Sequence, residues 1–204
     1  MVCMAYDKEL IQSWLESDDW GAHLEKHGAL GNNVSTARFK TIEKQYFDEV
    51  KRRIAYCSKL VIYYQDAFIY YAIARLFSRA DLNESANQLY MQEVRCYCYK
   101  SIRKDPYFAP CWALWAEAYA WIANLGCESK VMPGFHIYFD KANTKRVEKY
   151  IDFNVCLSKT QKIRINYIDK AIRCIQRAIK LDSMNKEYQC LLKSYYGHRN
   201  EYFR

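Results

Sequence analysis

His23-Leu24-Glu25-Lys26-His27 sets two imidazoles four residues apart, one above the other on a helix, where they can grip a divalent cation. The run is not H-E-x-x-H, because Glu25 falls one place late, and a third ligand has to come from elsewhere, with Cys3 or Asp19 as candidates. The competing reading is two exposed histidines on a short amphipathic helix. Nine cysteines are a second source of chemistry, but Cys3, Cys57, Cys111, Cys127, Cys156, Cys174 and Cys190 are scattered singly, and only Cys96 and Cys98 are close. Nothing matches the paired C-x2-C spacing of a tetrahedral zinc site, so no metal is expected. An odd number of thiols on a helical chain suits a reducing compartment, the cytoplasm, where cysteine serves as a small buried apolar residue.

A third constellation is better formed. Lys162, Asn166, Lys170, Arg173, Arg177 and Lys180 recur every three or four residues and share one helix face. Ile165, Ile168, Ile172, Ile175 and Ile179 recur in the same way on another face, which reads as core. The basic face has two readings: a surface for phosphates or an acidic peptide, or an ordinary solvated face. Lys193, Tyr195, Tyr196, Arg199 and Tyr202 interleave charge with aromatic rings, as stacking on bases requires.

No catalytic set accompanies these groups. The chain carries no G-x-S-x-G, no phosphate-binding G-x-x-x-x-G-K-[ST] and no G-x-G-x-x-G, and His136 and His198 have no acid beside them in a motif. No enzyme and no cofactor are expected, although a cysteine hydrolase whose thiol and histidine meet only in space stays among the rivals.

The elements that must position these residues are helical. Six glycines and three prolines in 204 residues are too few for a sheet protein, which turns every few residues. The length reads as one domain with its own core. Helices are expected at about Tyr6–Glu16, Asp19–His27, Thr36–Cys57, Lys59–Arg79, Glu84–Lys104, Phe108–Leu125, Asn143–Phe153, Ser158–Leu181 and Lys186–Tyr202. Gly28 stops the second, Asp81-x-x-Glu84 offers a capping box to the fifth, and Ser158-x-x-Gln161 offers one to the eighth. No uninterrupted apolar run reaches the roughly 18 residues of a membrane span, and Met1–Leu15, with Asp7, Lys8 and Glu9, does not read as a secretory signal.

Net charge is +8 and polarised: residues 1–33 hold six acids and two bases, net −4, whereas residues 141–204 hold fifteen bases and six acids, net +9. Such polarity suits an acidic partner for the C-terminal half, or contact between copies.

Trp112-Ala-Leu-Trp115-Ala116-Glu-Ala-Tyr119 follows a helix closing in Asp105-Pro106 and sets its aromatic, bulky, small and tyrosine residues at the offsets of W-x2-L-G-x2-Y. Ala171-x3-Ile175-x2-Ala178 fills the A-x3-F-x2-A positions of a second repeat helix, and Tyr188-x2-Leu191-Leu192-x2-Tyr195 resembles the start of another first helix. Phe68-x2-Tyr71-Ala72 and Val94-x3-Cys98-x2-Ser101 are degenerate versions upstream. Over roughly Lys59–Tyr202 the chain therefore resembles the tetratricopeptide-repeat family. The departures are real: Phe68 to Trp112 is 44 residues and Trp112 to Tyr188 is 76, against about 34 per repeat.

The resemblance implies an all-α fold of antiparallel helical hairpins stacked into a short right-handed array. Residues 1–33 would form an acidic helical segment packed on a repeat domain at 34–204, with an insertion or degenerate repeat at about 126–158. It also implies a non-catalytic adaptor or assembly subunit holding a protein segment. Groove positions carry Phe77, Glu117 and Trp121, extended by Lys193 and Tyr196, beside the basic face of Lys162, Lys170, Arg173, Arg177 and Lys180. The lysine and asparagine clamp that such arrays use for C-terminal carboxylates is absent, and the central groove reads as apolar, suited to a peptide or helix. An RNA-binding helical repeat and a secretion-type chaperone shielding an apolar client are the rival functions.

Overall fold

The computed structural model describes residues 6–17, 20–29, 34–79, 84–125 and 153–203. The chain is all-helical there: α1 (Lys8–Ser17), α2 (Trp20–Lys26), α3 (Thr36–Val61), α4 (Ala67–Arg79), α5 (Glu84–Lys104), α6 (Ala109–Leu125), α7 (Phe153–Leu181) and α8 (Lys186–Tyr202). No strand occurs among the described residues. Asp81, Gly126, Pro133-Gly134 and the helix expected at Asn143–Phe153, its last residue aside, lie outside them. The helices form two compact units, Met1–Pro106 and Tyr107–Arg204.

Local chemistry sets the ends. Asp7 opens α1 by accepting from the Leu10 N–H at 2.8 Å, Ser35 opens α3 by accepting from Arg38, and Asn185 opens α8 by accepting from Glu187 and Tyr188. Gly28 stops α2 as expected: it turns left-handed, with φ of 60°. Its N–H bonds the Glu25 carbonyl and the next N–H, of Ala29, bonds Leu24, which satisfies the last carbonyls of the helix.

Two boundaries differ from expectation. α3 continues through Cys57 and Lys59 to Val61, and α4 begins only at Ala67. Here Asp66 fixes the start, its carboxylate accepting the Phe68 N–H at 2.9 Å, while Ile62 and Tyr63 close α3 with tighter bonds to Lys59 and Leu60. α7 begins at Phe153, so Ser158 lies inside a helix instead of capping one. No glycine or proline interrupts Phe153–Leu181, and nothing forces the backbone to stop there.

In the first unit α4 packs on α5, α3 and α1. The Ser101 hydroxyl, fully buried near the end of α5, donates to the Ala67 carbonyl at the start of α4 at 2.8 Å, so these two helices run antiparallel. α1 and α4 run parallel: the Lys8 ammonium lies 5.0 Å from the Phe68 ring centroid, and Arg79 donates to the Leu15 carbonyl. α3 faces α1 through Trp14, which meets Tyr56 edge-on with centroids 5.4 Å apart. The core holds Ile11, Val50, Leu60, Ile69, Ile73, Leu76, Val94 and Cys98, all fully enclosed.

In the second unit α7 packs on α6 and α8. The three share one core in which Ala116, Ala123, Ile168, Ala171, Ile175 and Ala178 have no exposed surface. Small side chains let these helices approach closely, and the isoleucines fill the space between. Ile165 and Ile179 are only half-buried. α7 and α8 run antiparallel, with Gln161 donating to the Tyr202 carbonyl and Gln176 to the Tyr196 hydroxyl. α6 and α8 run parallel: the Tyr202 hydroxyl bonds Asn124, and the Glu117 carboxylate raises the Tyr195 phenol, second to burial.

Candidate functional site

The basic face lies where its spacing places it, with its members unequally exposed. Lys162, Arg173 and Lys180 are exposed, while Lys170 and Arg177 are half-buried, less open than a wholly solvated face would leave them. The reason is aromatic: the Lys170 ammonium sits 4.4 Å from the Tyr167 ring centroid and 5.9 Å from that of Tyr119, so its stem covers apolar surface while its charge faces the rings. Ile168, Ile172 and Ile175 are buried as expected.

α8 brings the other cationic positions to the same face. Lys193 is exposed, and Tyr196 is 43 % exposed with its hydroxyl accepting from Gln176 at 3.1 Å. Gln176 lies three residues after Arg173 and four before Lys180, so this bond joins the α8 pair to the basic strip of α7. Lower down, Arg199 pairs with Asp169 at 2.6 Å, both side chains about one-third exposed, and removes the acid that interrupts the strip. The basic face of α7 thus holds Lys162, Arg173, Arg177 and Lys180, with Tyr196 of α8 bonded to it through Gln176 and Lys193 exposed one turn before Tyr196. Gln176 and Asp169 were not singled out in the sequence; their spacing relative to Arg173 and Lys180 was the available signal.

The groove residues fall in both units, and each has its own surroundings. Glu117 is half-buried and acts on Tyr195 of α8. Trp121 is partly buried against the core of its unit. Phe77 belongs to the first unit and stacks on Tyr97, with centroids 5.8 Å apart and planes 20° from parallel. Trp112 and Tyr119 are half-buried, whereas Ala116 between them is fully enclosed. The aromatic rings on that side of α6 form a ladder instead, Trp112 to Trp115 at 5.7 Å and Trp115 to Tyr119 at 5.6 Å.

His23 and His27 are not an exposed pair. Both are half-buried, their ring centroids are 4.5 Å apart, and His23 stacks on Trp20 and packs beside Tyr46. Trp20 in turn meets Phe39 and Phe47, which makes this an aromatic cluster between α2 and α3. Asp19 and Cys3 lie outside the described residues. Among the described residues no group of three or more His, Cys, Asp or Glu side chains stands together as a metal site.

The described cysteines Cys57, Cys96, Cys98, Cys111, Cys174 and Cys190 are free thiols. Burial pushes Cys57 and Cys174 up to about 12, which keeps them protonated and poorly nucleophilic. No described helix is long and apolar enough to cross a membrane.

No family model, no curated protein and no solved structure matches the chain. The basic surface of α7 and α8 is thus defined by its own residues.

Proposed function

We propose that this chain is a non-catalytic, tetratricopeptide-like adaptor or assembly subunit that binds an acidic protein segment across α7 and α8. The observation that carries the reading is the Gln176–Tyr196 bond, which ties the basic face of α7 to an exposed aromatic residue of α8 one turn after Lys193. A segment lying along it would meet exposed cations at Arg173, Lys180 and Lys193 in succession, a pattern that steers and orients an acidic partner.

The repeat reading draws support from helix direction. In the first unit α1 runs antiparallel to α3, with Tyr6 beside Tyr64 and Trp14 beside Tyr56, and parallel to α4; in the second α8 runs antiparallel to α7 and parallel to α6. Stacked hairpins require this relation, because each repeat must present the same faces to the next. Small residues at the signature positions support it too, since Ala72, Ala116, Ala171, Ala178 and Ser101 are all fully buried. On this view α1 and α3 form a further, widely spaced hairpin that the motif pattern alone does not reveal.

The test exchanges Arg173 and Arg177 together for glutamate. Partner recovery from the native host is expected to be lost, with helical content and melting temperature preserved, because exposed and half-exposed charges contribute little to stability. Full retention of the partner would reduce the surface to a solvated face. Titration with single-stranded RNA is the companion measurement. Tight binding that collapses with added salt would favour the RNA-binding rival instead.

A further inference from the structure

The first unit carries a second cationic feature of a different kind. Tyr70 of α4 and Lys100, Arg103 and Lys104 of α5 line an open cleft of about 330 Å³. All three cations are exposed, and none of them forms an ion pair with a described residue. Lys104 is steered by a 3.1 Å bond to the Gln65 side-chain oxygen. The Lys100 ammonium lies 4.5 Å from the Tyr97 centroid and the Arg103 guanidinium 5.8 Å from that of Tyr99. Uncompensated positive charge is thus held in one place by neutral partners, around a concave surface walled by a tyrosine.

We propose that this cleft receives a phosphate group carried on a serine side chain of a protein partner. The assignment rests on the reading of the chain as a binder of protein segments, and it names the chemistry recognised at a separate place. Charge selects phosphate over carboxylate: a phosphomonoester brings up to two negative charges and three acceptor oxygens, whereas a carboxylate would leave most of the cleft's charge unmatched. Spacing selects a single group over a nucleic-acid backbone. Positions 100, 103 and 104 fall within little more than one helical turn and line a single cleft, so they do not form a track. The half-buried Tyr97 ring is also engaged, by Lys100, Phe77 and Tyr70, which leaves it little face for a base to stack upon.

The experiment follows backbone amide signals of the isotopically labelled full chain while three probes are added: N-acetyl-O-phosphoserine amide, inorganic phosphate and a short oligouridylate. The phosphoserine probe is expected to shift signals around Tyr70 and Lys100–Lys104 saturably, and to half-saturate at lower concentration than free phosphate. Exchanging Lys100 and Arg103 together for glutamine is expected to weaken it by about tenfold or more, as loss of charge-assisted hydrogen bonds implies. Lys104→Gln alone is a milder variant that weakens binding in the same direction should the double variant misfold. No saturable shift at the cleft would overturn the proposal. Equal affinity for free phosphate would make it a free-anion site, and tighter binding of the oligouridylate would make it a nucleic-acid site; either result overturns the assignment. Arg173→Glu/Arg177→Glu, which tests the α7–α8 surface, is expected to leave these shifts unchanged, so the two readings fail separately.

Discussion

Ala116 has no exposed surface inside the core shared by α6, α7 and α8, so a larger side chain there must push a helix aside. Ala116→Leu is expected to cost on the order of 1–3 kcal/mol through overpacking, read as a lowered melting temperature. An unchanged value would mean the crossing is loose. The buried thiols make a prediction about pH. Cys57 and Cys174 keep their protons up to about 12 in the folded chain, while an unfolded cysteine ionises near its ordinary value of about 8.5. Above that value the unfolded chain binds fewer protons than the folded one, so stability falls as pH rises towards about 12. Replacing both thiols by alanine is expected to flatten the fall of melting temperature with alkaline pH; an unchanged slope would show that burial does not hold these protons. At this scale the sequence was readable where size decides the outcome, as at Ala116 and the isoleucines of α7. It was unreadable where a ring on another helix draws a charge, as Tyr119 of α6 draws Lys170 of α7, because that depends on how the helices pack and not on spacing.

Helix ends were legible in proportion to their chemistry. α8 matches its expected limits because Asn185 is a strong cap after the Asp182-Ser183 turn. Asn185→Ala is expected to cost about 1 kcal/mol, and a measured loss under a few tenths would show that water replaces the cap. α5 and α6 also lie within a residue of expectation, since Asp105-Pro106 separates them. The break between α3 and α4 was hidden because Leu60–Tyr64 is an unbroken apolar run with no glycine or proline, and Asp66 acts as a cap only once α4 is folded behind it. The start of α7 was hidden for the opposite reason: Ser158-x-x-Gln161 has the pattern of a cap, but a serine inside a continuous helix has the same sequence. Within the candidate site, the basic strip was visible from period alone, whereas its union with Lys193 and Tyr196 depends on how α8 lies against α7. Periodicity within one helix carries no information about that.

The whole molecule divides at Pro106, a point the sequence marks only as a turn. Its composition is that of any connection between hairpins, so nothing there distinguishes a step within an array from a boundary between compact units. Because each unit has its own enclosed core, a fragment of residues 107–204 is expected to retain helical circular dichroism and a cooperative melt when expressed alone. A featureless, non-cooperative profile would mean that its core needs the first unit. The same division distributes the indoles unevenly. Trp14 and Trp20 belong to the first unit, whereas Trp112, Trp115 and Trp121 belong to the second. Each unit thus carries its own fluorescent reporter: Trp14 beside the Arg53 guanidinium, 5.5 Å away, and the tilted indole pair of α6, Trp112 and Trp115, beside Tyr119. Replacing one set with phenylalanine leaves the emission of the other to be followed alone, so the loss of order in either half can be watched in the intact chain without an attached dye.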